Sequence, residues 1–333
     1  MFSYLVVSIV MLSCFLHAFE LVPYRVNDTW GYADPQGHLV YEPAFREAHP
    51  SCQGMMRVRT QQGWGFISSW GCCMFSNAYE DLQDFSEQLA GVKILEKWGF
   101  INHRFKMVIR PKYDEVRPFK DGLAAVLIKQ KWGFINKSGI ETIPPAYDDV
   151  HDLAEGLIAV KRNGLWGYID PTGNWPISAE FTYAHPFSEG AAGVSTDGKS
   201  YSYIDKNGKI AIGMKFEQCG SFHDELAPVK ELDGGYGVIN REGHYVIPPI
   251  YGFISDFSEE LAVCSINGKY GFISKTGQLV IPLMYAYALP FRNGYAKVWN
   301  TIISEKVSHD VVAEKYADEG YIDRNNQQFW LKK

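Results

Sequence analysis

The sequence predicts an all-β protein assembled from tandem repeats of about 34 residues, and three observations predict it. Aromatic residues make up 15% of the chain and glycine occurs 31 times, a composition that suits short strands joined by tight turns. A Trp/Tyr-Gly-aromatic-Ile signature returns at a nearly constant spacing along most of the chain. Apolar side chains keep the same phase inside each spacing, so every unit offers the same positions to a core.

Taken in order, residues 1–19 carry no charged side chain, and Val6 to Leu16 is largely apolar. The run is short for a bilayer span, which needs about 20 residues, and Ala18 supplies a small residue for cleavage before Phe19. Residues 1–18 therefore read as a signal peptide and 19–333 as one repeat array. The n-region has no Lys or Arg and Leu16 is large for its position, so an uncleaved signal anchor, tethering the protein to a membrane, is the alternative.

The array itself starts at Trp30. Trp30, Trp64, Trp98, Trp132 and Trp166 each precede Gly and an aromatic residue and recur every 34 residues. Tyr201, Tyr236 and Tyr270 continue the series at separations of 35, 35 and 34. A ninth copy, Gly320-Tyr321-Ile322, follows an insertion near 300–318. Fifteen residues after each Trp or Tyr stands another aromatic, from Phe45 to Tyr285; six residues further on come Phe85, Phe119, Phe187, Phe222, Phe257 and Phe291. Each such offset marks one equivalent core position.

Inside a unit, Leu123 to Val126, Lys131 to Ile135 and Glu141 to Ile143 read as three strands of an antiparallel meander. Gly139 and its counterparts Gly37, Gly173, Gly208, Gly243 and Gly277 mark the second turn, where glycine takes positive φ freely. Pro111, Pro145 and Pro249 are expected to close the third strand, because proline cannot donate to a continuing ladder. The one window that admits a helix is the insertion, around Glu305 to Ala317. A propeller-like ring of these meanders would hide sheet edges and place the small-residue strand, Gly122 to Val126, near the axis. An open superhelical β-solenoid satisfies the same period.

The unit Phe119-Lys-Asp-Gly-Leu-Ala-Ala-Val126, with Lys131-Trp-Gly-Phe-Ile-Asn136, Gly139, Ile143-Pro-Pro145 and Tyr147-Asp148, resembles that of WG-repeat proteins, also called KWG repeats. The resemblance runs from about Trp30 to Trp330 and implies a β-rich, often exported protein, in a family mostly without an assigned activity. Ser202, where the motif has Gly, and Glu319, where it has Trp, depart from the pattern.

Lys and Arg total 32 against 38 Asp and Glu, a net charge of −6, which lacks the basic footprint of a nucleic-acid binder. After removal of Cys14 five cysteines remain, an odd number; Cys52 could pair with Cys72 or Cys73 in an exported protein, while buried free thiols are the simpler reading. Gly193 to Ser200 fits a P-loop pattern, but a strand follows it rather than the helix that phosphate binding requires. Acidic pairs such as Asp114-Glu115 and Asp148-Asp149 repeat as equals, whereas acid/base chemistry needs carboxylates in contrasted environments. No catalytic motif, metal site or cofactor is implied, and a non-enzyme is expected.

Two sets of residues are candidates for binding. His49, Gln83, Arg117, His151 and His185 occupy one phase of successive units and would line up as a polar row whose identities vary. Trp175 and Tyr183, like Trp70 and Trp299, fall outside the repeating aromatic phase and could seat a sugar or a peptide. The expectation is an exported, non-enzymatic scaffold that binds a protein or an envelope polysaccharide through its variable surface. A carbohydrate-active hydrolase using surface carboxylates and a structural spacer in the envelope are the alternatives.

Overall fold

The computed structural model describes residues 21–68, 73–76, 79–308 and 311–331, with no side-chain description for Cys73, residues 303–317 and Leu331. The expected signal peptide, Trp70 and Cys72 lie outside the described residues. Within them the chain is all β, and its strands form nine small sheets arranged in a ring, a nine-bladed β-propeller.

Blade 4 shows the unit. Its strands Glu115–Val116, Leu123–Ile128, Lys131–Asn136 and Glu141–Tyr147 are hydrogen-bonded in chain order, each antiparallel to the next. The sequence pattern gave three strands; the two-residue strand is a fourth. Blades 2, 3 and 5 to 8 repeat the arrangement over residues 47–75, 81–113, 149–181, 183–216, 218–251 and 253–285. The short strand lies at the axis, because the loop after it bonds directly to the same loop of the next blade, and equivalent positions come that close only where the ring is narrow. Ser86 Oγ donates to the Phe119 carbonyl at 2.6 Å and Ser258 Oγ to the Phe291 carbonyl at 2.7 Å. The small-residue strand is therefore second from the axis.

The prolines do not end the outer strand. Pro144 and Pro145 lie inside Glu141–Tyr147, which is a sheet edge where missing N–H donors are tolerated. There the register slips: Trp132 faces Tyr147 but Phe134 faces Ile143. The bulge brings the outer backbone onto the motif glycine, whose absent Cβ would sit 2.6 Å from both the Ile143 carbonyl oxygen and the Pro145 nitrogen at Gly133. That contact explains why Gly follows Trp in unit after unit. Where Ser202 replaces it, the facing strand carries Gly213.

Core clusters form between successive blades. Trp98 and Phe100 of blade 3 pack with Val116, Phe119 and Val126 of blade 4, all buried. A second set of contacts rivets neighbours together: Glu87 accepts the Gly122 N–H at 3.1 Å and pairs with Lys137 at 2.8 Å, and Glu155 does the same for Gly190 and Lys206 at 2.9 and 3.0 Å.

The ring is closed, not an open solenoid. Blade 1 consists of Val22–Val26, Thr29–Ala33 and Leu39–Phe45, and its axial strand comes from the far end of the chain: Trp330–Leu331 pairs parallel with Arg25 and Val26. Leu21, Trp30 and Tyr32 share a core with Met56 and Val58 of blade 2 and with Tyr295, Tyr321 and Phe329. Blade 9 has three strands, Tyr287–Ala288, Ala296–Ser308 and Val311–Ile322. The insertion lengthens the hairpin of the last two, with Ile303 facing Lys315 and Glu305 facing Ala313, instead of forming a helix. Its β-branched content, with Thr301, Ile302, Ile303, Val307, Val311 and Val312, favours strands over helix.

Candidate binding surface at the ring seam

The motif tryptophans are built into the core: Trp30, Trp64, Trp98, Trp132 and Trp166 are all buried, while Tyr201, Tyr236 and Tyr270, which replace them later in the chain, are half-buried. The polar row lies directly against these rings, one residue beyond each short strand. His151 stacks on Trp166 with centroids 5.0 Å apart and planes at 28°, the Arg117 guanidinium lies 4.9 Å from the centre of Trp132, and His49 lies 6.0 Å from Trp64. Gln83 and Arg117 also donate to carbonyls of the next blade, Val116 at 3.0 Å and Val150 at 2.5 Å. All five residues of the row are half-buried.

Burial sets the charge state of this row. It holds the His185 imidazole down to about 4, helped by His151, and lowers His151 itself, where Arg117 adds repulsion. His49 is likewise pushed down to about 4 by burial and by the Arg57 guanidinium beside it. Neutral at physiological pH, these rings pack on indoles and phenols instead of acting as acids. No three His, Cys, Asp or Glu side chains converge on a metal position among the described residues. Cys52, Cys219 and Cys264 are free thiols, and burial raises the last two to about 12, so they are not poised as nucleophiles. The P-loop look-alike is a turn: Asp197 accepts the backbone N–H groups of Lys199 and Ser200, both at 2.8 Å, before the strand Tyr201–Asp205.

The two out-of-phase aromatics do not share a site. Trp175 leans on Tyr147 of the preceding blade at 6.1 Å and edges a shallow hollow of about 410 Å³ with Arg162 and Leu165. Tyr183 sits on the axial strand of blade 6 among His151, Trp166, His185 and Tyr201, its centroid 5.0 Å from His185 and 5.8 Å from Trp166.

Tyr183 belongs to a position that changes character around the ring. The first residue of the short strand is Glu47, Asp81, Glu115 and Asp149 in blades 2 to 5, but Tyr183, Gln218, Phe253 and Tyr287 in blades 6 to 9. Its cross-strand partner changes with it: Glu47 faces Arg59, with an ion pair of 2.8 Å, whereas Phe253 faces Ser265 and Tyr287 faces Trp299. With the motif tyrosines these form one run of rings, Tyr236, Phe253, Tyr270, Tyr287 and Trp299, at successive centroid separations of 5.5, 6.4, 5.3 and 5.4 Å. The run is half-buried and spans three blades.

It ends in a cavity of about 550 Å³ at the seam of the ring, walled by Pro50, Leu289, Pro290, Tyr295 and Trp299 and carrying His49, Asp84, Arg292 and Lys297. The cavity follows from the closure. The axial strand of blade 1 is supplied by the chain's far end, and the loops of blades 9 and 2 reach towards each other, with Asn293 Nδ2 donating to the Ser51 carbonyl at 2.8 Å. Asp84 is held by Arg57 Nε at 2.8 Å and Lys297 by Glu319 at 2.8 Å. Arg292 is exposed and has no carboxylate partner among the described residues. On its other side lies a second hollow, of about 520 Å³, which shares Arg292 and Asp84 and carries Asp81, Glu115, Trp98 and Pro118. Of these residues the sequence had singled out His49 in the polar row, the motif aromatics Trp98, Tyr236 and Tyr270, Trp299 and the acidic pairs. Phe253 and Tyr287 were legible only in the switch from acid to aromatic at one offset, and Arg292, in the loop beyond, carried no sequence signal.

A closed ring of repeated small antiparallel sheets, with no helix among the described residues, defines a β-propeller repeat scaffold. The family model described as "WG containing repeat" matches residues 30–64, 98–132, 132–166, 166–199, 201–234, 236–270 and 270–298, and the chain belongs to that family. No curated protein matches it by sequence. Among solved structures, a crystal structure of the eukaryotic initiation factor superposes with a TM-score of 0.62 at 11% identity, covering 93% of this chain and 94% of that one. The computationally designed Ika8 protein superposes with a TM-score of 0.50 at 10% identity, covering 84% and 96%. At such identities the likeness concerns the fold alone. No helix among the described residues is long and apolar enough to cross a membrane.

Proposed function

We propose that this WG-repeat propeller is an exported, non-enzymatic scaffold that binds a protein or a cell-envelope component through the seam side of its ring. The observation that carries the reading is the exchange of charged pairs for Phe253, Tyr287 and Trp299 at one fixed position, next to a cavity with an uncompensated Arg292. A position free to vary within an otherwise repeated framework is where binding specificity can be written without disturbing the fold. Half-buried aromatics with an arginine are the residue types that dominate interface energetics. Export rests on the apolar, uncharged residues 1–18.

The hydrolase alternative is poorly supported. The acidic side chains at the varying position stand one per blade in blades 2 to 5, and Glu47 among them is engaged by Arg59, while Asp84 at the seam is engaged by Arg57. Asp81 and Glu115 share the second hollow, but both are at least partly open to solvent rather than set in the contrasted environments that acid/base work needs. The test is affinity capture from native extract with three proteins: the parent, Tyr287→Ala/Trp299→Ala, and a quadruple variant at Gln83, Arg117, His151 and His185. Loss of the captured partner in the double variant alone is expected. Equal capture by all three refutes the surface, and loss only in the quadruple variant moves it to the polar row.

A further inference from the structure

Resting on the binding reading above, we infer that the ligand of the seam is an extended peptide segment of a partner protein, with an apolar residue, an acidic residue and a basic residue in succession. The two hollows meet at Arg292 and Asp84 and run together from blade 9 over blades 2 and 3 to Pro118 of blade 4. A trough of that kind suits an extended chain and not a compact metabolite. Its chemistry changes along its length. The seam hollow is walled by proline, leucine and aromatic side chains, Arg292 stands in the middle, and Asp81 and Glu115 stand beyond it. Asp84 and Lys297 are already paired, so Arg292 is the cation left to take a carboxylate, which its planar fork receives in two parallel hydrogen bonds. A basic side chain of the same segment would then meet Asp81 and Glu115.

The aromatic run argues against a glycan. Sugar rings stack on flat, open aromatic faces, yet here each ring meets the next at 53° to 69°, so edges cover faces all along the run. The Lys297 ammonium lies 5.1 Å from the centre of Trp299, over the one indole that borders the cavity. Such a herringbone accepts interdigitating leucine, proline or phenylalanine side chains instead.

The test uses the mature protein and a set of fluorescein-labelled decapeptides carrying Leu, Pro or Phe, then Glu, then Lys, at varied spacings, read by fluorescence anisotropy. Control peptides replace Glu by Gln or exchange Glu and Lys, and oligogalacturonate is added as a competitor. At least one member of the set should bind, and its Gln counterpart should bind roughly 10-fold more weakly, the loss of one charge-assisted contact. Arg292→Gln should weaken the parent peptide to the same degree while leaving the Gln peptide unaffected; Trp299→Ala should weaken both. Arg292 is exposed, so folding is not at stake, and equal melting temperatures will document that. Equal binding of Glu and Gln peptides, indifference to Arg292→Gln, or displacement by oligogalacturonate in preference to unlabelled peptide overturns the inference. If no peptide binds while capture from extract still depends on Tyr287 and Trp299, the scaffold reading stands and the peptide assignment falls. If capture is also indifferent to them, both fall.

Discussion

Acid should destabilise this propeller in a window set by its buried imidazoles, and His185 is the place to measure it. Burial, with His151 nearby, holds the His185 ring down to about 4 against an ordinary value of 6.5. Between those two values the unfolded chain takes up a proton that the native state refuses, so stability is complete above pH 6.5 and drains away as the pH falls towards 4. The depression corresponds to at most about 3 kcal/mol, and to roughly 1 to 2 kcal/mol once the water that still reaches a half-buried ring is allowed for. Asp256 works with the opposite sign, since burial raises its carboxyl, but it is common to parent and variant and cancels in their comparison. His185→Gln is the perturbation of choice, because Gln83 already occupies the same position in blade 3. Urea unfolding at pH 7.5 and 4.5 gives the assay. The parent should lose stability across that interval, and the variant should lose about 1 to 2 kcal/mol less. A variant as acid-sensitive as the parent refutes the account of a neutral, packed imidazole.

Other consequences of the fold are equally open to measurement. Trp132→Ala and Trp166→Ala should each destabilise by about 3 to 5 kcal/mol in urea unfolding, as truncations of buried aromatics, whereas half-buried Trp175→Ala should be clearly milder. Gly133→Ala forces a methyl to within 2.6 Å of backbone on the facing strand and should lower stability by about 1 to 3 kcal/mol; an unchanged melting temperature would show the bulge to be compliant. Phe329→Ala, which empties the buried anchor of the closing strand, should destabilise by about 3 to 5 kcal/mol and increase protease cleavage in blade 1 before the other blades.

Much of this architecture could be read from the chain alone, for a physical reason. A fixed offset corresponds to one fixed place between blades, so Trp132, Phe134 and Phe119 reported burial through repetition rather than through any single residue's hydrophobicity. The axial strand escaped because two residues are too few to show alternation; its only trace is the single apolar position Ala48, Leu82, Val116, Val150 and their equivalents. Proline misled because its usual meaning, the end of a ladder, does not hold on an outer edge beside a bulge. The ring was anticipated only from the need to hide sheet edges, with the open solenoid left as the alternative, because closure is decided by contacts such as Arg25 with Trp330, far apart in the sequence. For the candidate surface, His151, His185, Gln83 and Arg117 do share one phase, yet a phase does not reveal that His151 will stack on an indole, that His185 will meet two phenols at steep angles, or that Gln83 and Arg117 will reach the next blade. The signal that mattered more was the change from Asp149 to Tyr183 and on to Tyr287.

The pairing of Trp330–Leu331 with Val22–Val26 also fixes when the molecule can be finished. A growing chain delivers Val22–Val26 early but the stave that completes their sheet only after the strands of every other blade. Until then Val22–Val26 waits with a bare rim beside the axis, open to a neighbouring molecule's tail as readily as to its own. Crowded synthesis should therefore favour exchanged, interlocked rings, and dilution during maturation should favour solitary ones.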